Sequence, residues 1–158
     1  MFVRALLSFL LLPGVLAFAL PISIAAIDPW RSAVWWQGAP LMLIGLVLLL
    51  WCVRDFYIAG KGTIAPWDPP KHLVLVGLYR HVRNPMYIAV LALVSGWSVC
   101  LVSPLLALYV IVLSIAFHIR VTVSEEPLLS SRFGDEWAQY CGNVDRWFPR
   151  IRPWRRDI

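Results

Sequence analysis

The chain has 158 residues, of which 60% are hydrophobic and 15% charged, and its mean hydropathy is +0.73. A soluble domain is about 45–50% apolar and about 25% charged, so this composition excludes a disordered tail, a disulfide-stapled secreted miniprotein and most cytosolic enzymes. The net charge of +5 lies outside long uncharged runs, which points to an anionic membrane surface or an anionic ligand rather than nucleic acid.

The first uncharged run is Ala5 to Ile27, the second Ser32 to Val53, and the third, far longer, Pro85 to Phe117. A helix needs about 20 apolar residues to cross a bilayer, so the first two runs each supply one span. The third is too long for one and is punctuated by Ser103-Pro104, which predicts helices over 86–102 and 104–121. The fold class read from this pattern is an all-α integral membrane protein with about four transmembrane helices in two hairpins. One domain, 1–158, then divides into a first hairpin (1–60), a cytoplasmic loop (61–84), a second hairpin (85–121) and a C-terminal interfacial segment (122–158).

Basic residues set the orientation. Arg4 precedes the first span, Arg31 alone occupies the first loop, and Arg54, Lys61, Lys71, Arg80 and Arg83 follow the second span. The Ser103 turn has none, whereas the tail beyond His118 is rich in arginine. With four spans, all but Arg31 fall on one side, so both termini are expected in the cytoplasm. Ala17-Phe18-Ala19 resembles a signal-peptidase site, but Pro21 follows at once and the apolar run is long, so a retained first span is expected. Cys52, Cys100 and Cys141 have no CxxC spacing, so neither a disulfide framework nor a metal site is expected. Trp30, Trp35, Trp36 and Trp67 fall near expected interfaces. Trp51 and Trp97 lie deeper, where filler between helices is favoured over an acceptor tunnel.

Two polar stretches are too specific to be mere connectors. The first, Gly77-Leu78-Tyr79-Arg80-His81-Val82-Arg83-Asn84-Pro85-Met86-Tyr87, leads into the third span. Asn84 is a favoured N-cap and Pro85 suits the first helical position. The helix is therefore expected to start there, its free N–H groups and positive dipole end making an anion site with Arg80 and Arg83. The second is Ser124-Glu125-Glu126-Pro127-Leu128-Leu129, where Ser124 is a candidate cap for a new helix with both acids in its first turn. These carboxylates could instead accept hydrogen bonds from ligand hydroxyls or pair with a ligand cation. Beyond them Leu128, Leu129, Phe133, Trp137, Tyr140 and Cys141 recur at three- and four-residue steps, interrupted by Gly134 and Gly142, as in short surface helices. Arg146-Trp147-Phe148-Pro149-Arg150 then returns toward the bilayer. Together these groups suit a ligand with an anionic group, hydroxyls or a cation, and a flat ring. A nucleotide-like cofactor fits, although neither common Gly-rich phosphate loop occurs.

Gly77-x-Tyr79-Arg80-x-x-Arg83-Asn84-Pro85-Met86-Tyr87, Glu125-Glu126-x-x-Leu129, Phe133-Gly134 with Tyr140, and Arg146-Trp147-Phe148-Pro149 resemble the integral membrane methyltransferases. That group includes isoprenylcysteine carboxyl methyltransferases and phospholipid methyltransferases, and the likeness covers about residues 72–150. It implies S-adenosylmethionine as cofactor, with S-adenosylhomocysteine as product, held by the cytoplasmic helix ends and the C-terminal segment. It also implies that Tyr79, His81, Arg83, Asn84, Pro85, Met86, Tyr87, Glu125, Glu126 and Tyr140 bind the cofactor, and that Arg83, Glu125 and Arg146 serve the transfer. Tyr79 and Tyr87 would pack on the adenine or line the methyl-transfer channel. Arg83 and the helix start would take the cofactor's carboxylate. The two glutamates would take ribose hydroxyls or the amino group, and Arg146 would close the site or meet an acidic acceptor. Asn84 stands where the family commonly has His, so a mechanism needing a base at that position is not expected here.

The implied partner is a lipophilic acceptor entering from the membrane: a prenylated-cysteine-like carboxylate, a lipid amine or a small hydrophobic molecule. The competing readings are a nicotinamide-dependent membrane reductase, since some sterol reductases share this kind of bundle, and a non-enzymatic membrane accessory protein on the same scaffold.

Overall fold

The computed structural model describes residues 10–59 and 73–155. The expectations for Arg4, Lys61, Trp67 and Lys71 lie outside them. Every regular element among the described residues is helical. A π-helical stretch, Leu10–Ala19, runs directly into α1 (Leu20–Ile27). Then come α2 (Trp35–Ala59), a short 3-10 turn (Gly77–Arg80), α3 (Pro85–Cys100), α4 (Pro104–Arg120), a π-helical turn (Val121–Glu125) and α5 (Glu126–Asn143). The stretch Trp35–Asp55 and the helix from Pro104 are long and apolar enough to cross a membrane, while Pro13–Ile27 and Pro85–Cys100 are shorter apolar helices.

Helices α2 and α3 form the tightest pair because glycine lets their backbones meet. A Cβ on Gly45 would stand 2.6 Å from the Leu93 amide nitrogen and 2.9 Å from the Ala89 carbonyl, and one on Gly38 would collide with the Gly96 carbonyl. Close approach of this kind replaces the hydrophobic drive that lipid-solvated helices lack. Leu49, Ala89, Val90, Leu93 and Val94 are buried along this seam with Leu113 and Phe117 of α4. The outward faces carry exposed Leu43, Ile44, Val47 and Leu50 on α2 and Leu108, Ile111, Val112 and Ile115 on α4. Apolar faces this extensive suit contact with lipid.

At one end of the bundle Ser103 caps α4, its hydroxyl accepting from the Leu106 amide at 3.2 Å. Buried Asp28 accepts from the Ser103 hydroxyl and from the Leu105 and Trp30 amides. The adjoining loop is pinned by Ser32 N to Leu101 O at 2.9 Å and Val34 N to Cys100 O at 2.7 Å. This end is therefore sealed by hydrogen bonds between the first loop and the α3–α4 turn.

At the other end, α3 begins at Pro85 as expected, but Asn84 makes no side-chain cap. Its amide donates instead to the Arg146 carbonyl at 3.2 Å. Ser124 likewise caps nothing: helix continues from α4 through the π turn into α5, so no new helix starts there. Gly134 does interrupt α5, at φ +48 and ψ −120, whereas Gly142 lies within the helix.

Candidate functional site

The polar end of the bundle is built by the loop 77–84, the start of α3, the turn joining α4 to α5, and the C-terminal segment 144–155. That last segment lies along the loop like an irregular strand. Arg83 N donates to Asp145 O, Arg150 N to His81 O and Trp154 N to Arg80 O, each at 2.9 Å. Side chains reinforce the pairing: Arg80 Nε reaches Trp154 O at 2.6 Å, and His81 Nδ1 lies 2.8 Å from Arg150 O. Buried Trp137, Tyr140, Val144 and Trp154 pack beneath it.

Glu126 stands at the centre. Arg146 grips it with two bonds, Nε to Oε1 at 2.8 Å and Nη2 to Oε2 at 2.7 Å. Arg83 Nη1 approaches Oε1 from the loop at 3.2 Å. The side chains of Arg83 and Glu126 are only 12% and 17% exposed, so the triad is poorly screened by water. Partial burial works to raise the Glu126 carboxyl, but the bonds from Arg146 and the charges of both guanidiniums outweigh it and hold the group below its ordinary value of 4.5. Arg83 also lies over the Trp137 ring, 5.8 Å from its centroid, and touches Cys141 Sγ. Its Nε is buried with no hydrogen-bond partner.

Beside this triad, Tyr87 donates to Glu125 Oε1. Arg120 Nε lies 2.8 Å from the same carboxylate oxygen and 3.1 Å from the Tyr87 hydroxyl. Residues 120 and 125 lie five apart, a spacing that an α-helix throws to different sides. The π turn, with its i→i+5 bonding, brings them together. Tyr87 packs on Phe117 and faces Trp147, whose indole N–H points to His118 Nδ1 at 3.2 Å.

The structure thus gathers Arg83, Asn84, Tyr87, Glu125, Glu126 and Arg146 around one locus. Five expected residues sit otherwise, among them Tyr140, which is buried with Trp137 and Trp154. Tyr79 is 7% exposed, hydrogen-bonded to Cys52 of α2, and its carbonyl accepts from the Tyr140 hydroxyl at 2.6 Å. Burial pushes the Tyr79 phenol well above its ordinary pKa. His81 binds the C-terminal segment, Met86 packs into the core, and Pro85 is buried at the helix start. Sequence reasoning passed over Arg120 and Asp55. The five-residue spacing to Glu125 carries no signal under α-helical periodicity, and Asp55 reads as a neighbour of Arg54, the first charge after a span.

A profile of the phospholipid methyltransferase family matches residues 33–136. The chain belongs to that family. The match takes in Arg83, Tyr87, Glu125 and Glu126 and ends before Tyr140 and Arg146. Among curated proteins, the chain is similar to the mouse Delta(14)-sterol reductase TM7SF2, 29% identical over 91 residues, which is 57% of this chain and 22% of the reductase. The chain therefore spans about a fifth of that relative's length. No solved structure matches.

Proposed function

We propose that this chain is a membrane methyltransferase that uses S-adenosylmethionine and acts on a lipophilic acceptor reaching the site from the bilayer. Family membership supports methyl transfer. The single observation that carries the cofactor reading is the locus around Glu126: a shielded guanidinium with an unused buried N–H, lying over the Trp137 ring and beside a second carboxylate, Glu125. Those groups match a ligand with a carboxylate, hydroxyls and a flat base, so the donor set fits the cofactor. Arg83 Nε and the start of α3 would hold its carboxylate, Glu125 its hydroxyls or amino group, and Tyr87 or Trp147 its ring. When bound, the cofactor supplies an electrophilic methyl group on a sulfonium.

What the chain must add is placement and dryness, which dominate a displacement that needs little acid–base help. The 144–155 segment, latched by Arg146 on Glu126, would cover the bound cofactor and exclude water. The Tyr87 hydroxyl is committed to Glu125, which holds that ring in place. We further propose the four-span topology with both termini in the cytoplasm. It puts the site at the cytoplasmic leaflet, where Arg54, Arg80, Arg83 and the arginines of the tail lie.

The acceptor remains a class: a lipid amine, a prenylated-cysteine-like carboxylate or a small hydrophobic molecule. Incubating the purified protein in nanodiscs with methyl-labelled S-adenosylmethionine and candidate acceptors tests the reading. Label in an organic-extractable product supports it, and label that stays wholly with the cofactor across all three classes overturns it. The reductase similarity supports a second reading, a nicotinamide-dependent reduction, which predicts acceptor-dependent oxidation of NADPH instead.

A further inference from the structure

Phe148 and Ile151 are 79% and 96% exposed, more than any other large apolar side chain among the described residues. Both belong to the C-terminal segment, which backbone bonds from Arg150 and Trp154 hold against the 80–83 loop, so their exposure is not that of a frayed end. Arg150, Arg152 and Arg155 stand beside them in the chain. The ion pairs among the described residues engage Arg54, Arg83, Arg120 and Arg146 and leave these three arginines without a carboxylate. Arg152 and Arg155 are exposed, and Arg150 donates from one terminal nitrogen to the Asn143 carbonyl. Bare apolar side chains among uncompensated cations suit a surface that is both apolar and anionic.

The place of the segment in the bundle says what that surface is. Trp147, next to Phe148, points its indole N–H to His118 of α4 and faces the Tyr87 ring. From Pro104 to His118 helix α4 rises about 21 Å at 1.5 Å per residue, whereas the hydrocarbon core of a bilayer is about 30 Å thick. With the Ser103 turn at one boundary, His118 lies at or inside the other, and Trp147 with it. The exposed apolar strip of α4 continues past this level through Ile115, Ile119 and, in the π turn, Val123. Phe148 therefore leaves the bundle where the polar interface of the bilayer begins. We propose that residues 147–155 form a docking surface for an anionic lipid leaflet, with Phe148 and Ile151 set among the headgroups and upper acyl chains and Arg150, Arg152 and Arg155 on lipid phosphates. Apolar burial and the attraction of arginine to anionic lipid act together at such an interface. Arg146 of the same segment latches Glu126, so docking holds the latch closed and makes closure of the site depend on the charge of the surrounding lipid. Docking needs α4 to cross the bilayer but needs no methyl transfer, and its test uses neither cofactor nor acceptor.

Two measurements on the full chain in nanodiscs provide that test. With Phe148 replaced by 4-fluorophenylalanine, fluorine NMR reads line broadening by a lipid carrying a nitroxide near its headgroup and by a water-soluble gadolinium chelate. Strong broadening by the lipid and weak broadening by the chelate are expected. The reverse, or shielding from both as burial against a second copy would give, overturns docking. Hydrogen exchange at the Arg150 and Trp154 amides is then followed as phosphatidylglycerol replaces phosphatidylcholine. Exchange should slow by about tenfold, and the slowing should vanish when Arg152→Gln and Arg155→Gln are combined. Phe148, Arg152 and Arg155 are all exposed, so these variants leave the fold intact. Equal exchange in the two lipids, or slowing that survives loss of both arginines, overturns the proposal.

Discussion

Replacing Glu126 by Gln removes the charge at the hub of the site without changing its shape. Glu126 holds Arg146 by two bonds of 2.8 and 2.7 Å and Arg83 at 3.2 Å. A hydrogen bond to a charged group contributes about 1.5–3 kcal/mol, and a neutral one about 1. Glutamine retains one neutral bond to Arg146, sets its amide against the second N–H and gives up the attraction to Arg83. With side chains 12–32% exposed, the lower part of the range applies, and the net loss is about 2 kcal/mol, or about thirtyfold in an equilibrium. The element that loses it is the 144–155 segment, because Arg146 is its tether. Hydrogen exchange resolves such local opening. The Arg150 and Trp154 amides, which donate to His81 O and Arg80 O, should lose about thirtyfold in protection. Amides of α3 at Leu93 and Val94 should not change. Unchanged protection at 150 and 154, or equal loss in α3, would refute the latch.

Because the Glu126 carboxyl titrates below 4.5 in the folded chain, its stabilisation is present above about pH 4.5. It is lost as pH falls from there through the lower folded value. Protection of the Trp154 amide, corrected for intrinsic exchange, should therefore hold from neutrality to about pH 5 and decline below 4.5, with no such decline in Glu126→Gln. Gly45→Ala places a methyl against the Leu93 and Ala89 backbone, which cannot swing aside, and should cost about 1–3 kcal/mol in detergent unfolding. Gly142→Ala meets nothing within 4 Å and should be neutral or stabilising by up to about 1 kcal/mol. Tyr140→Phe strands the Tyr79 carbonyl in a buried place and should destabilise by about 1–3 kcal/mol, read by the same unfolding assay.

The helices were legible because uncharged runs have few other solutions, and the Ser103-Pro104 and Asn84-Pro85 signals located a turn and a helix start. Asn84 is the N-cap residue as expected, but neither its side chain nor that of Ser124 makes a cap. Tertiary partners compete for the same side chains: Asn84 is drawn to the Arg146 carbonyl, and the helix never breaks before Ser124. The strand-like pairing of 144–155 with 80–83 rests on backbone bonds such as Arg83 to Asp145 and Trp154 to Arg80, between segments far apart in the chain, which no local periodicity encodes. The acidic pair and the arginines were visible as residue types. That Arg83 and Arg146 share Glu126, while Glu125 turns to Tyr87 and Arg120, depends on the π turn and could not be read from spacing. Asp28 directly follows the first uncharged run, and Asp55 stands beside Arg54 at the end of the second. One proves to be a fully bonded clasp, the other a carboxylate with one buried oxygen left without a hydrogen bond.

The most direct measurement is thermal unfolding of the detergent-purified protein with S-adenosylmethionine, S-adenosylhomocysteine or NADPH, alongside Glu125→Ala. A ligand that binds the folded form alone raises stability by mass action, about 2.7 kcal/mol at a hundredfold excess over its Kd. The account predicts a saturable rise with both adenosyl compounds, lost in Glu125→Ala, and none with NADPH. No rise with either adenosyl compound at millimolar concentration, or a rise with NADPH alone, would contradict it.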